Sequence, residues 1–248
     1  LNILHTDAFP NGTKHLVACW VRFIEWIASP LVDHFILAEA SYERELGFVG
    51  SRYTIIKNKC IVPDQFKRNP VTDKIRLLFT GTIDKSTGIE EAIGLAKELY
   101  AMDKRVELKI AGYCALPDYR EKVLKEVRGL PFISILGLTT LVSHTSIFNE
   151  IAEATAGIIF YPPSVHNHDR IPTKLYEYLA CQLPIIYDRS VSWAELVSTH
   201  RAGIEIDFKN VLPGEVIPKL LAPEFYPQIV EMAHWATESQ KFLKAVNS

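Results

Sequence analysis

An α/β fold built on a parallel sheet covered by helices on both faces is the architecture this sequence predicts, on three observations. From Lys74 onward, short apolar runs alternate with segments of helical periodicity. The runs end in glycine or polar residues: Thr80-Gly81-Thr82, Gly112-Tyr113, Gly137-Leu138 and Asp188. In a parallel sheet such ends gather at one edge, where these sheets bind ligands. The third observation is the stretch Asp169–Asp188. Pro172 suits a first helical turn, Leu175, Leu179 and Leu183 form one apolar stripe, Pro184 stops the helix, and Ile185-Ile186-Tyr187 reads as a buried strand.

The elements follow in order. After an abrupt start and a Pro-Asn-Gly turn signal, His15–Ser29 is a helix rich in large apolar groups, among them Leu16, Trp20, Phe23, Ile24, Trp26 and Ile27. Its apolar side is expected against a body of protein. A second reading is an amphipathic helix on a membrane surface, which a polar face poor in lysines argues against. Val32–Ala38 and Tyr53–Asn58 read as strands around a short helix at Ala40–Leu46. Residues 62–73, with Pro63, Pro70 and mixed charge, read as a linker. Beyond it come strands at Ile75–Phe79, Val106–Gly112, Phe132–Leu136, Gly157–Tyr161 and Gly203–Ile206. The helices between and after them are Gly88–Met102, Pro117–Val127, Ser143–Thr155, Ser192–His200 and Pro213–Leu221. A long closing helix is expected over Phe225–Val246.

Composition narrows the function. The 248 residues are 48% hydrophobic and 23% charged with a net charge of -2, an ordinary globular balance with no bulk electrostatic case for nucleic acid. Four scattered cysteines without a C-x-x-C read as reduced thiols in a cytoplasm. No apolar run reaches membrane-spanning length, and no signal peptide is visible. No motif links the serines and histidines into a nucleophilic triad.

The Gly81–Gly88 loop is neither a Walker loop nor G-x-G-x-x-G, which counts against NAD. A helix N-terminus at Thr173-Lys174-Leu175 offers free N–H groups and a positive dipole end, hence an anion site. Glu177 lies about one turn deeper, placed to accept ribose hydroxyls. His166-Asn167-His168-Asp169 has metal-like residue types but no further ligand cluster, so no metal is expected and a polar ligand-facing loop is preferred. Asp188 and Trp193 are candidates to close over the site, with an ordinary loop-and-core role as the alternative.

The stretch Pro172, Lys174, Leu175, Glu177, Tyr178, then Pro184 and a buried strand, resembles the nucleotide-sugar signature of the family 4 (group 1) glycosyltransferases. That signature runs P-x-K-hydrophobic-x-E-Y, a short helix, Pro and a strand. Asp169 and Glu177 stand at the family's carboxylate–seven residues–Glu spacing, with Asp where Glu is usual. The Gly81 loop resembles the family's first donor-half loop, where a glycine approaches the pyrophosphate. Thr82 and Thr87 stand where many members carry Arg and Lys, leaving Lys85 as the loop's cation. The resemblance implies a Rossmann-like fold, the C-terminal half of the GT-B plan. Residues 1–61 would be the end of an acceptor-binding domain, 62–73 the linker, and 74–248 the donor-binding domain.

It also implies retaining transfer of a sugar from a nucleoside-diphosphate sugar to a hydroxyl of a carbohydrate or lipid-linked acceptor, in polysaccharide or glycoconjugate synthesis. Asp169 and Lys174 would be catalytic. Gly81, Thr82, Lys85, Gly112, Gly137, Thr173, Leu175 and Glu177 would bind the donor, with no other cofactor and no nucleic-acid partner. The setting would be cytoplasmic, with peripheral association at the inner membrane face as a further expectation. The piece alone is expected to bind nucleotide with little or no transfer. Two readings stay open beside this one: a nucleotide-sugar epimerase of the same plan, and a non-catalytic protein that binds nucleotide sugar or a protein partner.

Overall fold

A computed structural model describes residues 11–162, 171–222 and 224–247. The chain divides into two compact units. One runs to Lys57 and resumes at Glu238; the other holds Asn58–Thr237.

The smaller unit opens with α1 (Asn11–Ala28), then β1 (Phe35–Leu37), α2 (Ser41–Glu45) and β2 (Tyr53–Ile55). The two strands pair in parallel, Phe35 opposite Tyr53. Arg52 fastens the entry to β1, donating to the carbonyls of Val32 and Ser29 with its guanidinium 5.5 Å from the Phe35 ring centroid. α1 departs from the expectation of an apolar side packed on protein. Lys14, Ala18 and Ser29 are buried, whereas Leu16, Trp20, Phe23, Ile24, Trp26 and Ile27 are exposed. Two three-residue strands offer too little apolar area to cover so many large side chains.

The larger unit alternates strand and helix: β3 (Ile75–Thr82), α3 (Ile89–Met102), β4 (Val106–Tyr113), α4 (Pro117–Val127), β5 (Ile133–Leu138), α5 (His144–Glu153), β6 (Ala156–Ile159), α6 (Thr173–Ala180), β7 (Ile185–Asp188), α7 (Ala194–Thr199), β8 (Gly203–Ile206) and α8 (Pro213–Leu220). The six strands form one parallel sheet in the order β5-β4-β3-β6-β7-β8. Side chains alternate across it, as a pleat requires. Ile75, Leu77 and Phe79 join Val106, Leu108 and Ile110 in a core with α3, α4 and α8. Leu78, Ile159, Ile185 and Tyr187 join a second core with α5, α6 and α7. Both faces are therefore covered, which explains why the strands read as nearly continuous apolar runs.

Residues 62–73 are pinned to this unit. Asn69 and Val71 donate their N–H groups to the carbonyls of Ala152 and Glu153. The Arg68 guanidinium donates to the carbonyls of Ile151, Ala152 and Ala154, closing the C-terminal end of α5. Burial pulls the Arg68 pKa down to about 10.

The expected closing helix over Phe225–Val246 is corrected. Only α9 (Ala236–Val246) is regular α-helix there, preceded by one short 3-10 turn, Glu231–Ala233. Pro227 has no N–H to give and drives the residue before it out of helical geometry. That residue, Tyr226, has φ 52. Its buried hydroxyl donates to the carbonyl of Leu183 at 2.7 Å, so the segment serves as a brace. Residues 233–235 then pair with Cys60 as a single parallel bridge.

Candidate functional site

Strand order reverses between β3 and β6: the chain runs outward through β4 and β5, then returns to the other side of β3. Such a switch point leaves a crevice outside the carboxyl ends of the strands. Three of the expected donor-binding residues meet there. Gly81, Gly112 and Gly137 lie opposite one another in register at the ends of β3, β4 and β5. Gly81 and Gly137 have φ of 102 and 92, a backbone that side chains rarely adopt. A Cβ on Gly112 would stand 1.9 Å from the Gly81 carbonyl oxygen. The three form a shelf of bare backbone, and close strand packing already demands glycine at its centre.

The N-terminus of α6 is at this crevice. Pro172 caps it in extended geometry, and Thr173 is exposed on its first turn. The N–H groups of Thr173 and Lys174 have no acceptor among the described residues. The Leu175 N–H is different: it donates to the Pro172 carbonyl at 2.9 Å, and its side chain lies in the core. The far end of α6 is closed by a left-handed turn rather than by Pro184. Gln182 has φ 53, Gln182 N–H bonds the Leu179 carbonyl, and Leu183 N–H bonds the Tyr178 carbonyl. These two bonds make a Schellman turn.

Lys174 is the unusual member. It is 8% exposed and its Nζ has no hydrogen-bond partner among the described residues. The nitrogen stands 4.2 Å from the Phe79 ring centroid and 5.5 Å from that of Tyr161. Its Cε lies 3.7 Å from where a Cβ on Gly81 would be, so the shelf and the lysine adjoin. Burial pushes the Lys174 pKa down to about 7, against an upward pull from Glu177. Glu177, half-buried, meets the exposed His144 ring with Oε1 to Nε2 at 3.0 Å. Behind them, the Tyr178 and Thr80 hydroxyls share a buried hydrogen bond of 2.8 Å. Gly157 leaves the space that the Tyr178 ring fills.

The loop after β3 is a self-contained turn. The Asp84 carboxylate accepts from the Ser86 N–H, and the Thr87 hydroxyl bonds both the N–H and the carbonyl of Asp84. Thr87 is thereby occupied as a cap, while Thr82 and Lys85 are exposed. Trp193 is core, 4% exposed and packed on Tyr187, though a cavity of about 500 Å³ beside Ile171 touches it. The Asp188 carboxylate accepts from the Ser190 N–H, as in an ordinary turn. Asp169, His166, Asn167 and His168 lie outside the described residues. Among the described residues no cluster of three or more His, Cys, Asp or Glu gathers to hold a metal, and no helix is long and apolar enough to cross a membrane.

Sequence reasoning missed Phe79, Tyr161 and His144 as neighbours of the site. Tyr161 carried a faint signal, since it ends an apolar run. Phe79 carried none, because it reads as core.

No protein-family model matches the chain, and no curated protein sequence does. Solved structures share its fold. HepE of Anabaena, described in complex with UDP and glucose, superposes with a TM-score of 0.68 at 13% identity, over 95% of this chain and 68% of that one. Sucrose-phosphate synthase of Thermosynechococcus elongatus gives 0.60 at 14% identity, over 91% and 60%. AviGT4, a glycosyltransferase involved in avilamycin A biosynthesis, gives 0.58 at 16% identity, over 84% and 61%. These likenesses establish the Rossmann-like α/β fold of the GT-B plan. The chain spans 61% of the length of AviGT4 and 46% of that of TarM.

Proposed function

We propose that the larger unit binds a nucleoside-diphosphate sugar and serves as the donor half of a retaining glycosyltransferase. One observation carries the reading: a buried amine, Lys174, without a hydrogen-bond partner among the described residues, on the first turn of a helix whose N-terminus adjoins a shelf of three aligned glycines. Bare backbone lets a diphosphate approach closely, and the helix end with Lys174 supplies positive potential for it. Glu177 accepts the ribose hydroxyls, exchanging His144 for them. Asp169 is assigned to the transferred sugar. Positive charge held at the leaving diphosphate favours bond cleavage, because charge builds there in the transition state.

The acceptor, a carbohydrate or lipid-linked hydroxyl, is assigned to the acceptor-binding half, of which residues 1–61 are the end. Polysaccharide or glycoconjugate synthesis on the cytoplasmic side is the corresponding setting. A second reading, a non-catalytic nucleotide-sugar binder, is favoured by one detail: Thr87 is spent on capping, so Lys85 is the loop's cation. A thermal-shift panel of UDP, ADP and GDP with their sugars tests both. Stabilisation by a diphosphate but not by its nucleoside supports the donor site, and no shift with any of them rejects it. Slow hydrolysis or transfer from the stabilising sugar nucleotide separates enzyme from binder.

A further inference from the structure

We infer that binding of a nucleoside diphosphate at this site takes up a proton, because Lys174 rests in the free protein as an uncharged amine over Phe79 and becomes an ammonium only when the diphosphate arrives. The inference rests on the donor reading above and adds to it how the site acquires its charge.

The geometry sets two costs against each other. An ammonium withdrawn from water with no acceptor loses much of its hydration. A cation over aromatic faces recovers only part of that, even when desolvated. Lys174 has two such faces, Phe79 and Tyr161, and no hydrogen-bond acceptor among the described residues. The uncharged amine is therefore the favoured form, and the downward shift to about 7 agrees. A diphosphate laid along the glycine shelf reverses the balance. It brings two or more negative charges and several acceptor oxygens to the nitrogen. The step is R–NH2 plus a proton, drawn from the buffer acid, giving R–NH3⁺ paired with phosphate.

Among the described residues the charged and titratable neighbours are these. β3 contributes Phe79, Thr80 and Gly81, none of which titrates. From beyond β6 comes the Tyr161 phenol, pushed up to about 12 by burial, which stays neutral. α6 contributes Tyr178, also raised by burial, and Glu177. α5 contributes His144 through its contact with Glu177. At pH 8 the second ionisation of a phosphate, near 6, is complete. Loss of the uptake in Lys174→Met then assigns the proton to Lys174.

Calorimetry at pH 8 measures it. The tightest binder among UDP, ADP and GDP is titrated into the 248-residue chain in buffers of different ionisation enthalpy, with phosphate omitted because it competes. The dependence of heat on buffer should give a net uptake of up to one proton per diphosphate. Lys174→Met keeps the stem and removes the amine; it should bind at least tenfold more weakly, with no uptake. Lys174→Arg, charged throughout, should bind without uptake. Wild-type binding without uptake overturns the inference and leaves the donor site standing. Uptake that persists in Lys174→Met also overturns it, by placing the proton elsewhere. Absence of binding by all three diphosphates removes the donor reading and this inference together.

Discussion

Glu177 pairs with His144 in the free protein and is proposed to hold ribose in the complex. Glu177→Ala should weaken nucleoside-diphosphate binding by about 1–3 kcal/mol, the range for a lost charged hydrogen bond. The fold should survive, since the partner is an exposed ring; unchanged affinity in a well-folded variant would refute the ribose assignment. Lys174 carries a second prediction. The unfolded chain keeps the lysine proton up to 10.5, the folded chain only to about 7. Between those values the folded state gains stability as pH rises, and below pH 7 the burial cost is fully present. Lys174→Met should therefore melt higher than wild type below pH 7, with the gap narrowing as pH climbs towards 10.5. A gap that widens with pH would contradict a buried, depressed lysine. Both residues were legible in the sequence through one local pattern, P-x-K-hydrophobic-x-E. The aromatic faces around Lys174 were not, because Phe79 reaches it only through the sheet and looks like any core residue of an apolar strand.

At the scale of elements, the first turn of α6 and the end of α5 make separable claims. Thr173→Pro deletes a backbone donor that Thr173→Ala keeps, while proline is tolerated at a first helical position. Diphosphate binding should fall more in Thr173→Pro than in Thr173→Ala, with similar melting temperatures; equal affinities would mean that this N–H does not meet the ligand. Arg68→Met leaves three α5-end carbonyls without their guanidinium and should lower stability by about 1–3 kcal/mol in urea unfolding. Most elements were readable because Pro and Gly punctuate them: α4 begins at its own proline, and β3, β4 and β5 each carry a glycine one residue before their end. Two readings failed for nameable reasons. Periodicity over Phe225–Val246 outvoted Pro227. In α1 a large apolar stripe was taken to mark the inner side, although the buried residues are the small Ala18 and the polar Lys14.

For the whole molecule, the span of 61% and 46% of AviGT4 and TarM goes with two parallel strands in the smaller unit and six in the larger. The expected behaviour is nucleotide binding with little or no sugar transfer to any acceptor. Robust transfer by these 248 residues would overturn the assignment of the acceptor half. The outward side of α1 also divides the protein's light emission. Of four tryptophans, Trp20 and Trp26 are 66% and 62% exposed, while Trp193 is 4% exposed. The first two already sit in water, so their fluorescence should change little when the chain unfolds. A red shift in denaturant should thus report the Asn58–Thr237 unit alone. Acrylamide should quench one bright fraction readily in the native protein, and Trp20→Phe with Trp26→Phe should abolish that fraction while leaving the unfolding midpoint of the shift in place.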